Sequence, residues 1–253
     1  MTPLMMLVLC LVMLATSFLS GIFGMAGGMI LIGVLLVLLP VQTAMVLHAV
    51  TQMASNGWRG LLWRKHVRWR PVAFFVSGCL LALTVWSLTR YVPSTPVALI
   101  LLGVTPFLVK LFPADWQPNP ESRLQATAYG TVCMTLMLLT GVAGPLIDSF
   151  FLGSGKLDRR EIVATKAMCQ VIGHGLKLAY FGSIIEQAGM LDPVLAVLAI
   201  VSSMVGTTVA KRFLEMMSDG QYRLWAGRII ATIAGYYIIH GMTLLVISET
   251  SAR

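Results

Sequence analysis

The same polar stripe is written twice into otherwise apolar helical sequence. His48, Gln52, Asn56 and Arg59 form the first copy, and Lys166, Gln170, His174 and Lys177 the second. Both follow the spacing i, i+4, i+8, i+11, and a constant shift of 118 residues superposes them. At about 100° per residue these positions fall within an arc of roughly 80° on a helix. Gln52 then coincides with Gln170, Gly57 with Gly175, and the cation Arg59 with the cation Lys177. Polar side chains at membrane depth are costly, so they turn toward a bundle interior or a wet cavity rather than toward lipid. The duplicated stripe therefore reads as two halves of one site for a small anion. The plainer alternative is that these groups only hydrogen-bond neighbouring helices.

That argument presumes a membrane, and the composition supplies it. The chain is 57% hydrophobic and 11% charged, where soluble domains average about 25% charged. Its 253 residues suffice for roughly six to eight spans of about 20 residues plus loops. The net charge of +8 does not point to nucleic acid, because the basic residues sit mostly in short loops between apolar runs. That is the pattern of membrane orientation. Cys10, Cys79, Cys133 and Cys169 lie in apolar runs without a CxxC pair, and read as small hydrophobes. Leu4 to Leu19 is apolar like a signal peptide but lacks a basic leader, since no Lys or Arg precedes Arg59; it is kept as structure. No cofactor is predicted.

Between the apolar pieces Leu4–Ser20 and Met29–Leu39 lie Gly21, Gly24, Gly27 and Gly28, four glycines in eight residues. A continuous helix is disfavoured there, and a re-entrant or broken helix is predicted, its freed backbone groups facing protein or water. Such breaks mark transporter binding sites. Pro40 ends this unit, and residues 43–63 form the first stripe helix. Spans follow at 71–89 and 96–112, and the proline-rich stretch 113–124 is the linker between halves 1–112 and 125–253. The second half repeats the plan: Gln125–Thr140, a break at Gly141–Pro145 containing Gly144, and a short re-entry Leu146–Leu152. A turn at 153–160 follows, with Asp158 as N-cap of the second stripe helix, about 159–181. Spans at 191–210 and 222–247 complete it.

The basic stretches are 64–70, 110–123, 156–160 and 211–223. One topology places all of them on the cytoplasmic side. Each glycine-broken unit must then enter and leave on the same face, and three full spans follow it. Three is odd, so the halves take opposite orientations. The predicted fold is an all-α integral membrane protein of two inverted repeats, each a re-entrant helical hairpin plus three transmembrane helices.

Lys166, Gln170, His174, His48, Gln52, Asn56, Gly24, Gly27, Gly28 and Gly144 are the predicted substrate-binding residues. Fixed positive charge in a low-dielectric cavity favours an anion, and amides donate to oxyanion oxygens. Half-helix N-termini turned inward would add to that field. Arg59 and Lys177, near the loop-side ends of their helices, either line an access route or snorkel to headgroups. Asp148 is the acid of the second break: a coupling site for a proton or sodium ion, or a lock for Lys166. His174 or His48 is a candidate proton carrier.

Gly21-x-x-Gly24-x-x-Gly27-Gly28 after an apolar helix, the echo Gly141-x-x-Gly144 and the tandem halves resemble the sulfite exporter TauE/SafE family over nearly the whole chain. The resemblance implies a bacterial inner-membrane transporter of sulfite, thiosulfate or organosulfonates such as sulfoacetate, working as an exporter. It departs from the glycine pattern at the second break, where Pro145 and Asp148 stand. Competing classes are a membrane-embedded enzyme acting on a lipid phosphate, a haem or quinone protein built on His48 and His174, and a channel. The oligomeric state is not legible.

Overall fold

The computed structural model describes residues 2–251 except 24, 112, 114–115, 154–155, 186–191 and 217–218. Ten α-helices and no strand occur among the described residues. They are α1 (Pro3–Phe23), α2 (Met25–Leu38), α3 (Val41–Leu62), α4 (Trp69–Thr89), α5 (Thr95–Leu108), α6 (Arg123–Thr140), α7 (Gly144–Leu152), α8 (Arg159–Ile185), α9 (Pro193–Met216) and α10 (Asp219–Ser251). Helices α1, α4, α9 and α10 are long and apolar enough to cross a membrane, and the chain is an integral membrane protein. The stripe helices α3 and α8 are long enough but too polar to count, as a lining helix should be.

The first break lies between Phe23 and Met25, inside the glycine cluster. Helix α1 continues through Gly21 to Phe23, and α2 already contains Gly27 and Gly28. Gly24 lies outside the described residues, as do Ser154 and Gly155 of the predicted turn and 186–190 between the predicted helices 159–181 and 191–210. A side chain on Gly27 would strike the backbone of Thr16 and Ser20, so α2 folds back along α1. In the second half Gly141, at φ 87°, closes α6. Helix α7 then turns back, stacking Phe150 on Tyr129 of α6 at 4.1 Å. Both broken units are therefore hairpins. The predicted 211–223 loop is corrected: α9 runs to Met216 and α10 starts at Asp219, so Lys211, Arg212 and Arg223 lie on helix ends.

Helix pairing interleaves the two halves. Helices α1 and α9 run parallel, Gly206 lying against the backbone of Leu14 and Phe18 and Gly21 against Thr207 and Ala210. Helices α4 and α6 also run parallel, Gly78 meeting the backbone of Thr127 and Thr131 and Gly130 that of Phe75. Small residues let helix backbones touch in this way. Helices α3 and α8 are antiparallel: His48 adjoins Lys177, Gly57 faces Val171 and Gly60 faces Met168. Helices α5 and α10 are antiparallel too, Gly103 meeting Ala234 and Gly241 meeting Pro96. Raising every helix number by five, and counting on from α10 to α1, exchanges α1/α9 with α6/α4. The same operation returns α3/α8 and α5/α10 to themselves.

One polar face gathers three of the basic stretches. Arg68 bonds Glu121 and Glu161 at 3.3 Å each, and its backbone amide donates to Thr165 Oγ1 at 3.0 Å. The Arg160 guanidinium lies 5.8 Å from the Trp63 ring centre. These exposed pairs add little stability; their use is to locate 64–70, 119–123 and 156–160 on the same side. Asp158 caps α8 as predicted, its Oδ1 accepting from the amides of Arg160 and Glu161 at 2.7 and 2.9 Å. Glu161 reaches back to accept from the Asp158 amide at 3.2 Å, completing a capping box. The Glu161 amide foremost, with that of Arg160 and the nearby charges of His66 and Arg160, holds the Asp158 carboxyl below its ordinary range. His66→Cys and Lys156→Cys should react with a membrane-impermeant thiol reagent from the same side of oriented vesicles. Labelling from opposite sides would refute this arrangement.

Candidate binding cleft

The turns of the two hairpins meet. A Cβ placed on Gly144 would lie 2.7 Å from the Cβ of Met25, so only glycine lets the start of α7 approach the start of α2. Where these turns cross the stripe helices, a cleft of about 430 Å³, its open mouth included, enters the bundle. Helix α3 contributes Gln52, Asn56 and Arg59, and α8 contributes Lys166, Gln170 and His174. The hairpins contribute Gly28, Gly144 and Asp148. Nine residues singled out from sequence thus share one cavity. Ser20, Met25, Val142 and Ala143 also line it; they carry no periodic mark in the sequence beyond their nearness to the breaks.

Local bonds order the walls. The Asn56 amide donates to the Gln52 carbonyl at 2.9 Å and to its side-chain oxygen at 3.4 Å. Arg59 reaches Asn56 Oδ1 and the Ser20 carbonyl at 3.5 and 3.4 Å. Lys166 Nζ is bonded to Asp148 Oδ1 at 2.5 Å, both side chains 14% exposed. Asp148 is thus joined to Lys166, as one reading of the sequence has it. Two cations and one carboxylate line the cleft, leaving a net positive charge that favours an anionic guest.

Three predicted residues lie elsewhere. Gly27 is spent on the α1–α2 contact. His48 and Lys177 are fully buried and sit behind the cleft rather than in its wall. Lys177 neither snorkels to headgroups nor stands on an open route: its Nζ donates to the Gly141 carbonyl at 2.9 Å and meets His48 Nδ1 at 2.8 Å. His48 Nε2 lies 3.0 Å from the Gly28 carbonyl. The rings of His48 and His174 meet edge to face, centres 5.4 Å apart.

The bonds of the two stripes correspond. Lys166 holds Asp148 of hairpin α6/α7, and its counterpart His48 holds Gly28 of hairpin α1/α2. Arg59 reaches the carbonyl end of α1, and its counterpart Lys177 the carbonyl end of α6, where a cation complements the helix dipole. The difference is exposure: one set lines the cleft and the other is closed off behind it.

A sequence model of one protein family, described as sulfite exporter TauE/SafE, matches residues 9–237. No curated protein and no solved structure matches the chain.

Proposed function

The chain belongs to the sulfite exporter TauE/SafE family, a family of membrane transporters, and from that membership we propose that it carries small sulfur oxyanions or organosulfonates out of the bacterial cytoplasm. Sulfite, thiosulfate and sulfoacetate are the candidate substrates, and the inner membrane is the location. The observation that carries this reading is the cleft, where both stripes and both hairpin turns converge on one net-positive cavity. Arg59 and Lys166 supply charge, Gln52, Gln170 and Asn56 supply amide donors, and the start of α7 adds the positive end of a short helix.

The halves are read as inverted repeats. The pairing pattern repeats on exchange of α1–α5 with α6–α10, and the self-paired helices α3/α8 and α5/α10 are antiparallel. A two-fold axis that reverses helix direction lies in the membrane plane, which is the inverted arrangement of many carriers. The clustering of basic stretches on one face supports the same topology. Carrier action follows from it: what one hairpin and stripe expose on one side, the equivalent pair exposes on the other. A membrane-embedded hydrolase would call for Asp148, the one carboxylate in the cleft lining, to be free to act as acid or base; it is held by Lys166 instead.

Flux into proteoliposomes, comparing sulfite, thiosulfate, sulfoacetate and chloride, tests the proposal. Saturable movement of a sulfur anion in preference to chloride is expected, and no movement of any of the four by folded protein would overturn it. Gln52→Leu and Gln170→Leu should each weaken substrate affinity by about 1–3 kcal/mol, the loss of one hydrogen bond at a partly dry site. The apparent KM of transport reads this directly.

A further inference from the structure

Behind the anion cleft, three nitrogen bases form a closed chain with no acid among them. His174 lines the cleft, is 3% exposed, and its Nδ1 has no hydrogen-bond partner among the described residues. Its ring abuts that of His48. His48 Nε2 faces a carbonyl, and a carbonyl only accepts, so Nε2 carries a proton. In neutral His48 the other nitrogen, Nδ1, is then a lone pair, and it faces Lys177 Nζ. One hydrogen bond thus joins two basic nitrogens, with room for a single proton between them.

The surroundings leave that proton without a counter-charge. In the cleft, His174 shares the lining with Arg59 and Lys166, and the one carboxylate there, Asp148, is engaged by Lys166. Helix α4 brings the buried thiol of Cys79, α6 the thiol of Cys133 and the phenol of Tyr129, and α8 itself Cys169 and Tyr180. Helix α2 has no ionisable side chain, and α9 brings none among its described buried residues. A buried positive charge without a partner is costly. An oxyanion in the cleft beside His174 would supply the missing partner.

We infer that His174, His48 and Lys177 form a proton-binding site coupled to the anion cleft, taking up one proton from water in the cleft when an oxyanion enters and returning it when the anion leaves. The inference rests on the anion reading of the cleft. His174 is the receiving base: protonated, it becomes a second donor toward the guest. The Lys177–His48 pair sets the charge behind it. Linkage is reciprocal, so the anion raises proton affinity by the same factor as the proton raises anion affinity.

The test is calorimetric titration of the purified full chain with thiosulfate, a dianion throughout the range used. It is run in buffers of different ionisation enthalpy between about pH 6 and 8, where histidine titrates. Wild-type protein should take up protons on binding the anion within that range. Its affinity should fall as pH rises there, by at most tenfold per pH unit, the limit for one linked proton. His174→Gln should bind more weakly and lose the uptake. Should His174→Gln not fold, His48→Gln is the second variant, and it should shift the pH at which uptake occurs. Thiosulfate binding by wild type without proton uptake overturns the proton site while leaving the anion reading intact. Uptake that survives in His174→Gln and vanishes in Asp148→Asn overturns it in favour of the carboxylate. No binding of thiosulfate, sulfite or sulfoacetate overturns both readings.

Discussion

Lys166→Gln should reduce anion transport at least 30-fold while leaving the protein folded. The substitution removes a cation from the cleft and also strips Asp148 of its partner. The freed carboxylate then faces the incoming anion, so attraction is replaced by repulsion. Truncating one member of a hydrogen-bonded, largely desolvated charge pair costs about 2–5 kcal/mol in recognition. At about 1.4 kcal/mol per tenfold, that is roughly 30-fold to several thousand-fold. The fold should survive because Asp148 lies in the lining of an open cleft, where water can reach the orphaned carboxylate. Adding Asp148→Asn to Lys166→Gln removes the repulsion and should recover part of the loss, whereas Lys166→Arg keeps the charge and should retain most activity. Initial rates in proteoliposomes, beside the yield of monodisperse protein, check all three. Undiminished flux in Lys166→Gln would remove this residue from the site.

Gly130→Leu should have the largest effect on folding. A side chain at Gly130 would enter the backbone of Phe75, and one at Gly78 the backbone of Thr127. Backbone has no alternative rotamer, so the helices must separate. Separation breaks the Cys79 thiol contact to the Gly130 carbonyl at 3.4 Å and the bond from Thr131 Oγ1 to the Gly78 carbonyl at 3.2 Å. Overpacking of this kind typically costs about 1–3 kcal/mol, and here the obstruction is main chain, so the upper end applies. The yield of monodisperse, detergent-solubilised protein should fall severalfold and its unfolding temperature should drop. Gly227→Leu, at a position with open space around it, is the matched control and should behave like wild type.

The stripes were legible because period and duplication mark them independently of any fold, and the hairpins because four glycines interrupt one apolar stretch. Depth along the helix was not legible. An arc of roughly 80° says which face turns inward, but all four stripe positions share it. What sorts them is that α3 and α8 run antiparallel, so the start of one stripe meets the end of the other. That brings Lys177 to His48 behind the cleft and leaves Arg59 and Lys166 together in its wall. Loop-side placement of Lys177 in sequence pointed to the surface, yet the carbonyl end of α6 waits there to receive its ammonium. Helices α9 and α10 extend past their apolar runs for a simpler reason: Lys and Arg are good helix formers, so a helix continues where hydrophobicity stops.

The glycine seam between α1 and α9 has a consequence for the birth of the protein. Leu14 and Phe18 rest on Gly206, close to 190 residues downstream. At ordinary rates of synthesis the ribosome needs about 10–40 s to cover that distance. Throughout that interval α1 sits in the bilayer with the face that will be buried open to lipid. The Thr16 hydroxyl of this helix already donates to the Val12 carbonyl at 2.7 Å, whereas Ser17, against Gly206, has no partner for its hydroxyl among the described residues even in the finished fold. An early segment therefore waits for one made much later, and neither half of the chain is a finished object until the other has been made.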